Sequence, residues 1–169
     1  MRTKYYALFL AVAALCGTAH AGAKTDFDVL LTITESCTIS DKTPDNVNFG
    51  SKPRVSGTVS YAAEGKLYVD CSEGTDYYIG LNGGKNAGSD IADPKPGVRQ
   101  MANGAGTIFV KYELYQDAAH TKFWGNVKTN GRAAAGLGKV DPISVYGLVT
   151  SANVAAGAYT DTVTATIVY

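Results

Sequence analysis

"TDFDVLLTITESC", residues 25–37, is the stretch on which the reading of this chain turns. Phe27, Val29, Leu31 and Ile33 alternate with Asp28, Leu30, Thr32 and Thr34, so one face is wholly apolar. Alternation of period two predicts a β-strand with that face buried. No hairpin turn ties the stretch to the residues after it, and it stands near the front of the chain, where ends ordinarily fray. An apolar strand in that place needs a partner. The pattern alone allows two: residues 27–33 pair with 159–169 inside one closed sandwich, or they pair with another molecule.

The residues before it read as a signal peptide, 1–21. Arg2 and Lys4 supply positive charge, residues 5–16 are an apolar run, and Ala19 and Ala21 are the small residues before a cleavage point. The run is too short to span a bilayer with margin. Cys16 follows Leu15, where a lipidated cysteine needs a small residue, so an acyl anchor is not expected. Cleavage leaves residues 22–169, which is 148 residues and one domain's worth of core. The whole chain has 15 basic and 15 acidic residues; Arg2 and Lys4 depart with the signal, leaving 13 against 15 and a net charge of about −2. Such a balance attracts neither nucleic acid nor an anionic membrane. No later run approaches 18 apolar residues, so the mature chain is read as not membrane-embedded.

Cys37 and Cys71 are then an even pair in an exported chain, which reads as one disulfide. Closing that loop stabilises by roughly 3–4 kcal/mol in the chain-entropy picture. The alternative is a pair of buried thiols. With no histidine nearby, the two make a poor metal site.

Beyond the signal no window sustains helical spacing, while strand patterns recur between Gly, Asn and Asp. Leu67, Val69 and Cys71 share a face, as do Tyr77, Ile79 and Leu81; Ile108, Val110, Tyr112 and Leu114; and Ile143 and Val145. At the C-terminus Val163, Ala165, Ile167 and Tyr169 alternate with Thr160, Thr162, Thr164 and Thr166. Many short strands of this composition predict an all-β sandwich or barrel. Three polar or Gly-rich stretches, roughly 40–48, 83–100 and 125–141, are expected as loops within one domain.

Catalytic patterns are weak. The mature chain has one histidine, His120, beside Asp117, and a solvent-exposed loop residue is the expected reading. No G-x-S-x-G elbow exists. "GRAAAGLGK" fails as a phosphate loop because Leu137 stands where the lysine belongs. Asp76, Asp90 and Asp93 lack calcium-loop spacing. No enzyme and no cofactor is expected. Nine tyrosines and Trp124 fit the core of a sandwich better than a sugar-binding face. A self-contained carbohydrate-binding module remains the alternative, using Tyr77, Tyr78 or Tyr115 as exposed platforms.

Several stretches point the same way: "FDVLLTITESCTIS", "VNFGS", "LYVDCS", "YYIGLNGG", "VRQM", "YELYQDAAHTKFWG", "ISVYGLV" and "GAYTDTVTATIVY". Together, across 25–169, they closely resemble the spore coat protein U domain family, which includes subunits of archaic, Csu-type chaperone–usher pili. The resemblance implies an incomplete immunoglobulin-like β-sandwich, residues 36–169, completed by donor-strand exchange. Residues 22–35 would be the donor extension, with Phe27, Val29, Leu31 and Ile33 entering pockets of a neighbour. Val163, Ala165, Ile167 and Tyr169 would edge the acceptor groove. The implied partners are neighbouring pilin subunits, a periplasmic pilus chaperone and an outer-membrane usher. The implied role is a shaft or adaptor subunit, exported through the periplasm to a surface pilus for attachment and biofilm formation. A coat protein built by the same exchange is a further possibility.

Overall fold

The computed structural model describes residues 22–169 of the chain. The signal peptide expected at 1–21, with Cys16, lies outside the described residues. Residues 34–169 form one compact unit. Residues 22–33 form no strand, and the side chains of Phe27, Val29, Leu31 and Ile33 are each between 83% and 86% exposed.

The folded unit is all-β. Its ten strands are β1 (Cys37–Ile39), β2 (Thr58–Cys71), β3 (Asp76–Leu81), β4 (Gln100–Asn103), β5 (Phe109–Lys111), β6 (Glu113–Tyr115), β7 (Arg132–Ala135), β8 (Val140–Ser151), β9 (Tyr159–Thr160) and β10 (Ala165–Val168). One antiparallel sheet has the order β1-β2-β8-β6. Two shorter ones, β10-β3-β7 and β5-β4-β9, share the continuous stretch 159–168 and together make the second layer.

The core lies between the layers. Val69, Cys71, Tyr77, Ile79, Leu81, Val110, Leu114, Trp124, Ile143 and Val145 are all buried. The alternating faces read from the sequence are the faces that pack. Trp124 is fully buried and its indole N–H donates to the Ile79 carbonyl at 2.8 Å, so its one polar atom is satisfied. Cys37 and Cys71 are direct cross-strand partners and form the expected disulfide.

Two patterns read as single strands divide. Residues 108–115 split at Tyr112, where the chain leaves the second layer as β5 and enters the first as β6. Residues 159–168 pair first with β4 and then with β3, with 161–164 between them outside any regular ladder. The loop expected at 125–141 contains β7, whose small alanines carry no hydrophobic alternation but pair with Asp76–Ile79. Main-chain need, not side-chain pattern, makes that strand.

Candidate functional site: an apolar groove with a free strand edge

A groove of about 1210 Å³ opens into the sandwich. One bank is the chain 44–54. Its only regular pairing is a bridge at Asp45–Lys66, and residues 46–54 belong to no strand. Two mid-strand glycines bring this bank close to the first sheet. A Cβ on Gly65 would lie 2.5 Å from the Asp45 carbonyl oxygen, and one on Gly147 would lie 2.5 Å from Val47 Cγ1. Val47 and Phe49 therefore rest over glycine-lined recesses in β2 and β8. Tyr61, Leu67, Val145 and Val149 continue the apolar lining from those two strands, and Met101, Val110 and Leu114 extend it.

The other bank is the stretch 152–165. Here the hydrogen-bond geometry decides what is available. Asn82 N–H donates to the Thr164 carbonyl at 3.0 Å, and Thr166 is opposite Gly80. In an antiparallel ladder only alternate residues bond to a given neighbour. Thr164 thus spends its main-chain groups on Asn82, its N–H donating to the side-chain Oδ1 at 2.9 Å, and Thr166 spends its own on β3, while those of Val163, Ala165 and Ile167 face the other way. β10 is the terminal strand of its sheet, so that second edge is free. The side chains of Val163 and Ala165 meanwhile turn into the groove and pack on the core. A row of free main-chain groups above an apolar cleft is a template for one more strand.

Polar residues brace this bank. Asp161 accepts from the Tyr112 hydroxyl at 2.7 Å, from Thr162 N–H at 2.8 Å, and from the main-chain and side-chain nitrogens of Asn86 at 3.3 and 3.0 Å. Burial, and the hydrogen bond to Asp161, raise the Tyr112 hydroxyl far above the ordinary phenol range, so it stays a neutral donor. Arg99 is fully buried and donates to the carbonyls of Leu81, Asn82 and Trp124. Desolvation lowers its pKa, and nearby Tyr112, Glu113 and Asp161 oppose that. Arg99 pins the second layer where β3 ends and β4 begins.

The residues expected at the acceptor edge are not equivalent. Val163 and Ala165 line the groove. Ile167 lies farther along the same edge and packs against the core, while Tyr169 follows the end of β10 and is 62% exposed. Much of the groove carries no strand signal in the sequence: Val47, Phe49 and Val154 sit in stretches without sustained alternation. The mid-strand glycines Gly65 and Gly147 are the signal that could have located the 44–54 bank.

Other candidates dissolve on inspection. Tyr77, considered as an exposed platform, is 5% exposed and belongs to the core; Tyr78 and Tyr115 are half-buried. His120, expected to be solvent-exposed, is half-buried with its ring edge-on to Tyr115. Asp117 does not orient it: its carboxylate accepts from the Lys122 main-chain N–H and from the Thr121 hydroxyl and N–H, which hold its pKa below the usual carboxylate value. Among the described residues no group of three His, Cys, Asp or Glu side chains could hold a metal ion, and no helix is long and apolar enough to cross a membrane.

Comparison with known proteins places this architecture. The chain is 40% identical over 108 residues to Protein U of Myxococcus xanthus, a match covering 62% of this chain and 59% of that protein. It thus spans less than two thirds of that relative's length. Its fold matches a chain in the crystal structure of the CsuC–CsuE chaperone–tip adhesion subunit pre-assembly complex from archaic chaperone-usher Csu pili of Acinetobacter baumannii. The TM-score is 0.54 at 21% identity, over 82% of this chain and 40% of that one. The likeness is one of fold: an all-β sandwich shared with a chain of that complex. The family model of the Spore Coat Protein U domain, a family of structural, non-enzymatic proteins, matches residues 23–166, and this chain belongs to that family.

Proposed function

We propose that this chain is a strand-exchanging structural subunit of a surface fibre of the chaperone–usher type. Its groove accepts a strand from a periplasmic chaperone and then from a neighbouring subunit delivered at an outer-membrane usher. Its residues 22–35 serve the next subunit in the same way. The observation that carries this reading is the free edge of Val163 and Ala165 above the apolar cleft. The exposed face of Phe27, Val29, Leu31 and Ile33 supplies the matching chemistry. Burying four such side chains contributes roughly 6–12 kcal/mol before ordering costs, ample for a lasting joint. The description of the solved relative as a chaperone–subunit complex of chaperone-usher pili supports the same partners. A sandwich that carries its own donor segment fits a shaft or adaptor position, in a fibre serving attachment and biofilm formation.

The family name and the likeness to Protein U favour a second setting, a coat layer assembled by the same exchange. Immunogold labelling separates the two, since fibres project from the cell and a coat outlines it.

The donor assignment is tested with Leu31→Lys, which places a charge where an apolar pocket is expected. Size-exclusion chromatography of the wild type should show a ladder of oligomers, and the variant should not. Normal assembly by Leu31→Lys contradicts the assignment.

A further inference from the structure

The groove is lined mainly by apolar side chains, with polar ones among them. Asp161 and Tyr112 both line it, and Asp161 is the most heavily engaged carboxylate on its wall. Its position in the fold is particular. Residues 161–164 fall between β9, laddered to β4, and β10, laddered to β3, so no regular pairing holds them. Tyr112 stands at the other irregular point, where the chain crosses from the second layer to the first. One carboxylate joins the two.

The surroundings are built around it. Asn86 donates from its side chain to both the Thr160 carbonyl and Asp161, and its own carbonyl accepts from the Gln100 side chain at 2.7 Å. Lys85 N–H donates to the Thr162 carbonyl at 3.0 Å, which commits Thr162 to the inner side of the stretch. Gly84 has φ of +82°, and a Cβ there would strike the Asp161 carboxylate, so this site has room only for glycine. The consequence falls on Val163. With Thr162 and Thr164 tied inward on either side of it, its N–H and C=O are left pointing at the open edge.

We infer that Asp161 is a positioning residue that sets the register of the strand entering the groove. By fixing 161–164 as an extended segment it turns an irregular stretch into an edge with a defined phase. The free groups of Val163 then stand in line with those of Ala165 and Ile167. An incoming strand finds three hydrogen-bonding residues in one phase instead of two. Asp161 touches no partner in this arrangement; it acts through the main chain of its neighbours. The inference rests on the acceptor-groove reading above and deepens it.

The test uses the mature chain, residues 22–169, carrying Leu31→Lys throughout so that its own extension leaves neighbouring grooves open and otherwise wild type, and a dye-labelled synthetic peptide of residues 25–36. Binding is read by fluorescence anisotropy, and the main-chain amides of the edge by hydrogen exchange. Without further substitution the peptide should protect Val163, Ala165 and Ile167 together. In Asp161→Ala binding should weaken about tenfold, with protection lost at Val163 and kept at Ile167. Asp161→Asn, which can still meet Tyr112 and Asn86, should restore both readouts to within about threefold. Tyr112→Phe removes one donor, keeps the ring, and should show the Val163 loss in weaker form. It decides the matter if Asp161→Ala has lost the near-ultraviolet signal of buried Trp124. Full Val163 protection in a folded Asp161→Ala, or in Tyr112→Phe should the alanine variant not fold, overturns the inference. A chain without further substitution that binds no peptide and protects no edge amide overturns the acceptor-groove reading itself, and this inference with it.

Discussion

The stretches 25–36 and 158–169 both alternate apolar with polar residues, and only the second is laddered. In residues 159–168 the threonines face out, Val163, Ala165 and Ile167 face in, and β4 and β3 supply main-chain partners. In residues 22–33 the same period-two pattern ends in exposed side chains and no strand. Alternation describes which face of a strand would be buried; the strand itself forms only when another edge satisfies its N–H and C=O groups. The laddered stretch makes the same point from within. Its inner edge is bonded and its outer edge is free, so one strand is half complete. A pattern without an edge and an edge without a strand are complementary shortages, and the proposed exchange would relieve both.

The contrast can be broken from the ordered side first. Trp124→Ala removes the largest fully buried side chain and its hydrogen bond to the Ile79 carbonyl, so urea unfolding should show a loss of about 3–5 kcal/mol. Replacing Cys37 and Cys71 together by serine frees the linked ends of β1 and β2 and should cost about 3–4 kcal/mol in the same assay. Gly65→Ala forces the 45–47 main chain off the first sheet and should cost about 1–3 kcal/mol, while widening the groove from the bank opposite β10.

The smallest expected effect is a gain. Burial raises the pKa of Glu113, and the Gly97 N–H, Arg99 and Lys111 only partly offset it. A carboxyl whose folded pKa lies above its unfolded value contributes stability that is complete below the unfolded value of 4.5 and is lost as pH rises through the folded one. Glu113→Gln keeps the acceptor for Gly97 and removes the charge. Its urea midpoint should exceed the wild type's near neutrality, and the two should converge on acidification. A variant less stable than wild type at neutral pH contradicts the assignment.

The sequence reveals those features that side chains alone specify. The all-β class, the disulfide and the inward faces of Tyr77–Leu81 and Val110–Leu114 were legible because burial selects residue types at period two. β7 was hidden because Arg132–Ala135 forms for the sake of β3's main chain, and alanine announces nothing. The breaks at Tyr112 and at 161–164 were hidden because a strand that changes sheets keeps its alternation through the switch. Arg99 was invisible as a core residue, since its partners are three carbonyls brought together only by the fold. The groove was legible at Val163 and Ala165 but not at Val47 and Phe49, which reach it only because Gly65 and Gly147 leave room.

The central claim is that residues 25–36 complete the groove. It is tested most directly by comparing two proteins in size-exclusion chromatography and thermal melting. One is residues 22–169. The other is residues 36–169 with "TDFDVLLTITES" appended through a flexible linker after Tyr169. The first should aggregate or form a ladder of oligomers, and the second should be a monomer with a sharp, higher melt. A first protein that is already a monodisperse, sharply melting monomer, and no more stable when rearranged, would contradict it.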